Sequence, residues 1–380
     1  MTEKLLADRR AFIFGIAGLV LSGPEAAFAC HEKDHHPWPC NAAVALPVNS
    51  DKRGPQAKAA AQVMPKLLKL GHIGIDVVDT GASVEHAVEA IQNILLTDEK
   101  PASVFVLDQR LPIDVIEQLA QKERLPFLSS AAVPRGDQSG QVFRLGADAS
   151  DVSRALPPTL DALKVGRGPL NFVFDARWPD YAENTMAALL AQGWMLTRIA
   201  VPPERPDAIK GLIDQAGKSR AWILSLAHER IAPAVAAIRA FDEGAPIVAE
   251  APLGDAEPIL KPINDPKLVL LSSFSSLRIG NVALLSELDS MVGAGTGLPL
   301  TAVAALAATG AQVMTLALAN AEGKDVGQAM YESIAKIDIA GDQLLMAWPF
   351  LRLDAKAGAF DGMRVVPLTW NGDTLIEIHT

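Results

Sequence analysis

The alternation of short apolar runs with longer amphipathic ones constrains this chain more than any other feature. From residue 42 it reads as strand 42–48, helix 55–70, strand 74–79, helix 83–96, strand 103–107, helix 112–122 and strand 127–129. Such alternation builds a parallel sheet, because a helix must carry the chain back over the sheet before the next strand can run in the same direction. Helix 83–96 is the clearest: Ser83 stands at the N-cap, and Val84, Ala87, Val88, Ile91, Ile94 and Leu95 recur on one helical face. After a turn at Asp148-Ala149-Ser150-Asp151 the layout repeats, with helix 152–163, strand 171–174, helix 181–192, strand 195–200, helix 205–216, strand 221–225, helix 232–241 and strand 247–249. Strand 268–272, a small-residue helix 298–321, helix 326–337 and tail strands joined by Gly and Asn-Gly turns complete the chain. No repeat of fixed period accompanies this layout, which disfavours a solenoid. The expected fold class is α/β, with two doubly wound parallel-sheet lobes whose strand carboxyl ends face a shared cleft, where ligands bind.

The chain has 380 residues, 49% of them hydrophobic, enough for two substantial cores. Its 34 basic and 44 acidic side chains leave a formal charge of 34 − 44 = −10, and no basic stripe appears, so nucleic acid is not an expected partner. Enzyme motifs are missing: there is no G-x-S-x-G, no H-E-x-x-H and no P-loop, and no cysteine lies beyond the amino-terminal region to act as a nucleophile. The run Gly293-Ala294-Gly295-Thr296-Gly297 reads as a flexible connection before the small-residue helix, since no strand leads into it.

Residues 1–29 read as an export signal. Arg9 and Arg10 form the basic region, 11–21 the apolar run, and Ala27-Phe28-Ala29 the cleavage site. The Arg pair resembles a twin-arginine signal. Eleven apolar residues fall short of a membrane span, and no later stretch is read as both long and free of breakers. The expected location is the periplasm. The only two cysteines, Cys30 and Cys40, follow the cleavage site in C-H-E-K-D-H-H-P-W-P-C, and in an oxidising compartment they would most simply pair as a disulfide. His31, His35 and His36 within that loop could ligate a transition metal, although the spacing matches no defined zinc motif and a solvated terminal loop is the alternative. No other cofactor is implied.

Several segments, taken in order, carry a resemblance: the polar loop of 44–51, Gly81-Ala82-Ser83 with Ala87-Val88-Glu89-Ala90, Arg124-Leu125-Pro126-Phe127-Leu128-Ser129-Ser130, Phe174-Asp175 with Trp178-Pro179-Asp180-Tyr181-Ala182, and the Trp370-Asn371-Gly372-Asp373 turn. The ordered set resembles the type I periplasmic solute-binding proteins, specifically the Leu/Ile/Val-binding-like branch that serves branched-chain amino acid ABC importers. The resemblance implies two lobes joined by three crossings, lobe 1 from 42–147 plus 274–340 and lobe 2 from 148–273 plus 341–380. It also implies closure of the lobes over one small molecule by hinge motion, without catalysis, and delivery to a membrane permease.

The family's carboxylate-binding hydroxyls are replaced here by Asp108-Gln109-Arg110. Arg110 could grip a carboxylate or phosphate, oriented by Asp108 or Gln109, or could simply pair with Asp108 on a solvated loop. Ser129 and Ser130 match the family's second ligand loop. Trp178 or Tyr181 matches the covering aromatic, and His228-Glu229 or Glu250 the ammonium-binding acid. The expected ligand is a small organic molecule, acidic or amino-acid-like. A non-transport accessory or sensor protein on the same fold, which could bind a metal through the Cys/His terminal loop, is the competing reading.

Overall fold

The computed structural model describes residues 40–130, 141–177, 179–323, 325–354 and 358–380. Two mixed sheets organise them. The first contains β1 (Asn41–Leu46), β2 (Gly74–Asp79), β3 (Val104–Val106), β4 (Phe127–Ser129), β5 (Val142–Arg144), β11 (Asp338–Ala340), β12 (Phe350–Asp354) and β13 (Ala359–Asp361), in the order β11-β12-β13-β5-β4-β3-β1-β2. The second contains β6 (Pro169–Asp175), β7 (Met195–Val201), β8 (Trp222–Ser225), β9 (Ile247–Glu250), β10 (Leu268–Ser272), β14 (Val366–Trp370) and β15 (Leu375–Glu377), in the order β15-β14-β10-β9-β8-β6-β7. Laid side by side, β2-β1-β3-β4-β5 and β7-β6-β8-β9-β10 are the same parallel arrangement. The two α/β series read from the sequence are therefore one topology used twice.

Helices α1 (Gly54–Leu67), α2 (Val84–Leu95), α3 (Ile113–Glu123), α9 (Ala283–Thr296), α10 (Ala302–Asn320) and α11 (Val326–Ala335) cover the first sheet. Helices α4 (Ala149–Ala162), α5 (Pro179–Ala191), α6 (Ile209–Ala216), α7 (His228–Phe241) and α8 (Ala256–Ile263) cover the second. In α2 the Ser83 hydroxyl accepts the His86 N–H, as the sequence led us to expect. Helix α10 is 19 residues long and apolar enough to cross a membrane by length and composition, contrary to the expectation that no later stretch would qualify. Its flanks are buried against α1 and the first sheet, so it is a core helix. Small residues permit this: a Cβ on Gly310 would collide with the Phe105 ring of β3, so only glycine lets helix and sheet approach this closely.

Several boundaries differ from expectation for identifiable reasons. The Asp148–Asp151 segment is a capping box rather than a free turn. Asp148 accepts the N–H groups of Ser150 and Asp151, and the Asp151 carboxylate accepts that of Asp148, so α4 starts at Ala149. Helix α7 begins at His228, with Pro233 tolerated inside it. Helix α8, which carries Pro258 and Pro262, and the three-residue β5 were too short or too proline-rich to read from periodicity. Gly293–Gly297 is not a flexible connection: it forms the last turn of α9, closed by Gly297 in the left-handed region at φ 68°.

The tail also requires a correction. The segment 341–380 expected in lobe 2 includes β12 and β13, yet both pair in the first sheet, and β13 runs parallel to β5 through Ala359 and Arg144. The chain passes between the sheets at 145–148, 273–282 and 362–365, so the last crossing falls after β13 instead of after residue 340. The backbone at these crossings is tied together. Arg278 donates to the carbonyls of Gly341, Leu344 and Met346, the Trp348 indole N–H to the Arg364 carbonyl, and Arg364 Nε to the Ala347 carbonyl.

Candidate functional site

The carboxyl ends of corresponding strands in the two lobes place the candidate residues. After β3, Asp108 is buried and accepts from both the backbone and the side chain of Arg110. Its Oδ1 takes Arg110 N (3.0 Å) and Nε (2.9 Å), and its Oδ2 takes Arg110 Nη2 (2.5 Å) and the Thr80 hydroxyl (2.7 Å). Burial works to raise the Asp108 carboxyl, but the hydrogen bonds from Arg110 and Thr80 outweigh it and hold the group below its usual range. The same bond raises Arg110. Arg110 is thus a fixed cation rather than a waving loop side chain. Its Nη2 also reaches the Gly81 carbonyl, and about a third of the side chain stays exposed. Gln109 is exposed beside it.

After β4, Ser129 and Ser130 are buried, and the Ser130 hydroxyl has no hydrogen-bond partner. In the second lobe Glu250 closes β9, the strand that corresponds to β4. It is 3% exposed, and neither carboxyl oxygen has a partner in hydrogen-bonding geometry. Burial pushes its pKa up to about 8, against the opposing effect of the Ser225 hydroxyl on the adjacent strand. At neutral pH Glu250 is therefore mostly a neutral acid. Ser273 and Ser275, on the crossing segment after β10, likewise have buried hydroxyls without partners. Buried polar groups in native proteins are almost always satisfied, so these orphaned groups at and beyond strand carboxyl ends are candidate ligand contacts.

His228 lies in the first turn of α7 with a largely exposed side chain, 3.4 Å from Glu229. It interacts electrostatically with Asp51 of the first lobe and Asp255 of the second. Trp178 and the side chain of Tyr181 lie outside the described residues, as do Cys30, His31, His35 and His36. The half-buried Cys40, the other member of the expected disulfide, directly precedes β1. No cluster of three His, Cys, Asp or Glu side chains suited to a metal occurs among the described residues.

Sequence reading missed two arginines built like Arg110. Asp51 accepts Arg53 N, Nε and Nη2, and Asp175 accepts Arg177 N, Nε and Nη2. The available signal was the spacing itself, Asp-x-Arg at the ends of three strands. Arg53 Nη1 also donates to the Leu253 carbonyl across the lobes at 3.2 Å, and Asp255 of lobe 2 accepts the first N–H of α10 in lobe 1. Two open cavities, about 320 Å³ beside Arg278 and Arg364 and about 670 Å³ beside Arg124 and Tyr331, lie away from this polar set.

No family model and no curated protein matches the sequence. Solved structures do match its fold. A substrate-binding protein of an ABC transporter from Desulfitobacterium hafniense, in complex with Leu, superposes with TM-score 0.69 at 15% identity, over 89% of this chain and 99% of that one. The branched-chain amino acid transporter substrate binding protein LivJ from Streptococcus pneumoniae, in complex with isoleucine, gives 0.68 at 16% identity, over 89% and 99%. A solute binding protein of an ABC transporter from R. palustris, in complex with benzoate, gives 0.68 at 14% identity, over 90% and 95%. The chain has the two-lobe fold of these binding proteins.

Proposed function

We propose that this chain is the substrate-binding component of an ABC importer, exported to the periplasm, where its lobes close on a small acidic or amino-acid-like molecule and present it to a membrane permease. It acts by binding, without catalysis. The observation that carries this reading is the set of buried, unpartnered polar groups at matched strand ends of the two lobes: Ser130 after β4 and Glu250 at the end of β9. A ligand touching both would satisfy groups whose isolation otherwise costs about 1–3 kcal/mol each, and would draw the lobes together. The proteins of like fold, solved with leucine, isoleucine or benzoate, support a ligand of this size. Arg110, held by Asp108, supplies a directed cation for an acidic group. The amino-terminal 29 residues, read as an export signal, support a periplasmic location.

Native mass spectrometry of protein purified from the periplasm without refolding tests the reading. The expected result is a stoichiometric small-molecule adduct that is lost on denaturation and absent from the Glu250→Gln, Ser130→Ala double variant. An unliganded protein that also binds none of a panel of amino acids and organic acids in calorimetry would refute it.

A further inference from the structure

The turn at residues 251–255, between β9 and α8, is fastened on one side to its own lobe. The Gly254 N–H donates to the Ala251 carbonyl (2.8 Å), and a Cβ at position 254 would come within 2.6 Å of the Ala251 Cβ, so the turn closes this tightly only with glycine there. The Ala251 N–H donates to the Leu271 carbonyl (3.0 Å), the Ser273 N–H to the Pro252 carbonyl (2.9 Å) and the Ser272 hydroxyl to the Gly254 carbonyl (2.8 Å). Residues 272 and 273 are where the chain leaves β10 for the first lobe. The turn is therefore stitched to the start of a crossing.

Its other side holds the first lobe. The Leu253 side chain packs against the core of the first sheet, its carbonyl accepts Arg53 Nη1 (3.2 Å), and the Asp255 carboxylate accepts the N–H of Ala302, the first residue of α10. Both anchor points in lobe 1 are helix amino termini: Arg53 is the N-cap residue of α1, and Ala302 opens the 19-residue α10. A carboxylate at a helix amino terminus satisfies an N–H that lacks an intrahelical partner and meets the positive end of the helix dipole. Gln56 binds the two anchor points together. Its Oε1 accepts the N–H (3.0 Å) and hydroxyl (2.7 Å) of Thr301, and its Nε2 donates to the Pro299 carbonyl (2.7 Å). Asp51 fixes the Arg53 side chain through Nε and Nη2, and the Arg53 charge acts in turn on Asp255. The two ties thus share one rigid support.

We propose that residues 251–255 are a strap that limits hinge rotation, with Arg53 and Asp255 as positioning residues that set one lobe against the other. A lobe turning about the 273–282 crossing carries the strap with it and must break the Arg53–Leu253 and Asp255–Ala302 hydrogen bonds together. The strap starts at the residue after Glu250, so one continuous segment places both the buried acid and the lobe contact. It acts on the lobes themselves, whichever molecule the cleft takes.

Hydrogen–deuterium exchange on the full chain tests this, following the backbone amides of the crossings at 145–148, 273–282 and 362–365 in wild type, Arg53→Ala, Asp255→Ala, the double variant and Asp255→Asn. Truncating Arg53 leaves Asp51 its bond from the residue 53 N–H and a partly exposed carboxylate, so no charge is stranded. Each single alanine variant is expected to speed exchange at the crossings about tenfold or more, while the core strands β1, β3, β6 and β8 keep wild-type protection. The double variant should exchange no faster than the faster single variant, because either cut releases one strap. Asp255→Asn keeps a side-chain oxygen for the Ala302 N–H and should restore most of the protection. Crossing amides that exchange at the wild-type rate in either alanine variant would overturn the proposal. So would acceleration shared equally by the core strands, which marks general destabilisation, or effects that multiply in the double variant, which mark two independent ties. Failure of Asp255→Asn to exchange more slowly than Asp255→Ala would likewise remove the Ala302 bond from the strap.

Discussion

Replacing Glu250 with glutamine isolates the energetic consequence of burying a carboxyl group with no charged partner. The free side chain ionises near 4.5, whereas in the folded protein burial holds the proton on up to about pH 8. A raised folded pKa means that the group's contribution to stability is fully present below pH 4.5 and is lost as pH rises toward 8, because the unfolded chain ionises first and gains the hydration that the native state denies. Each pH unit across that interval is worth about 1.4 kcal/mol, so between roughly pH 4 and pH 9 the wild type should lose on the order of 4–5 kcal/mol that the glutamine variant keeps. The amide has nearly the same shape and cannot ionise. All other groups titrate alike in both proteins, so the difference between their stability curves belongs to position 250. Urea denaturation at half-unit intervals of pH measures it directly: the curves should run together in acid and diverge in base, with the variant the more stable. Curves that stay within about 1 kcal/mol of each other at every pH would show that Glu250 is hydrated or paired, and would remove the orphaned-acid argument for the site.

Asp175 makes the opposite prediction. Burial acts to raise it, but the hydrogen bonds from Arg177 outweigh that and hold it below 3.8, so its stabilising contribution is present above that pH and lost as pH falls through its lower folded value. Asp175→Asn should therefore be less stable than wild type at neutral pH and lose less on acidification, as read from melting temperatures between about pH 2.5 and 7. Gly310→Ala should destabilise the protein by about 1–3 kcal/mol in denaturant titration, because the new methyl meets the buried Phe105 ring and neither the helix nor the sheet behind it can yield cheaply. Asp255→Ala removes an acceptor from the first N–H of α10 and should cost about 1 kcal/mol by the same assay, while leaving the circular dichroism spectrum unchanged.

Much of the local architecture was legible because it is enforced locally. The strands Gly74–Asp79, Phe127–Ser129 and Leu268–Ser272 and the Ser83 cap follow from apolar spacing and from a hydroxyl one residue before a helix, which act over a few residues whatever surrounds them. The position of Arg110 on a loop beyond a parallel strand was equally readable. The Asp-x-Arg turns could have been found as well, since an aspartate binding the backbone N–H two residues on is a local device. They were missed because the three copies are far apart in the sequence and only sheet order makes them comparable.

Other features depend on contacts between distant segments and leave no local trace. Strands β12 and β13 read correctly as strands, yet only pairing through Arg144 and Ala359 decides that they complete the first sheet instead of the second. Glu250 reads as a glutamate closing an apolar strand, but its isolation depends on what the neighbouring strands and helices place around it. Two α/β series, their element order and the strand ends that would carry a site are written in local residue patterns. Which sheet receives the tail, which polar groups are deprived of water and which arginines stand on opposite lobes follow only from the packed chain, because burial and strand pairing are sums over neighbours that periodicity does not encode.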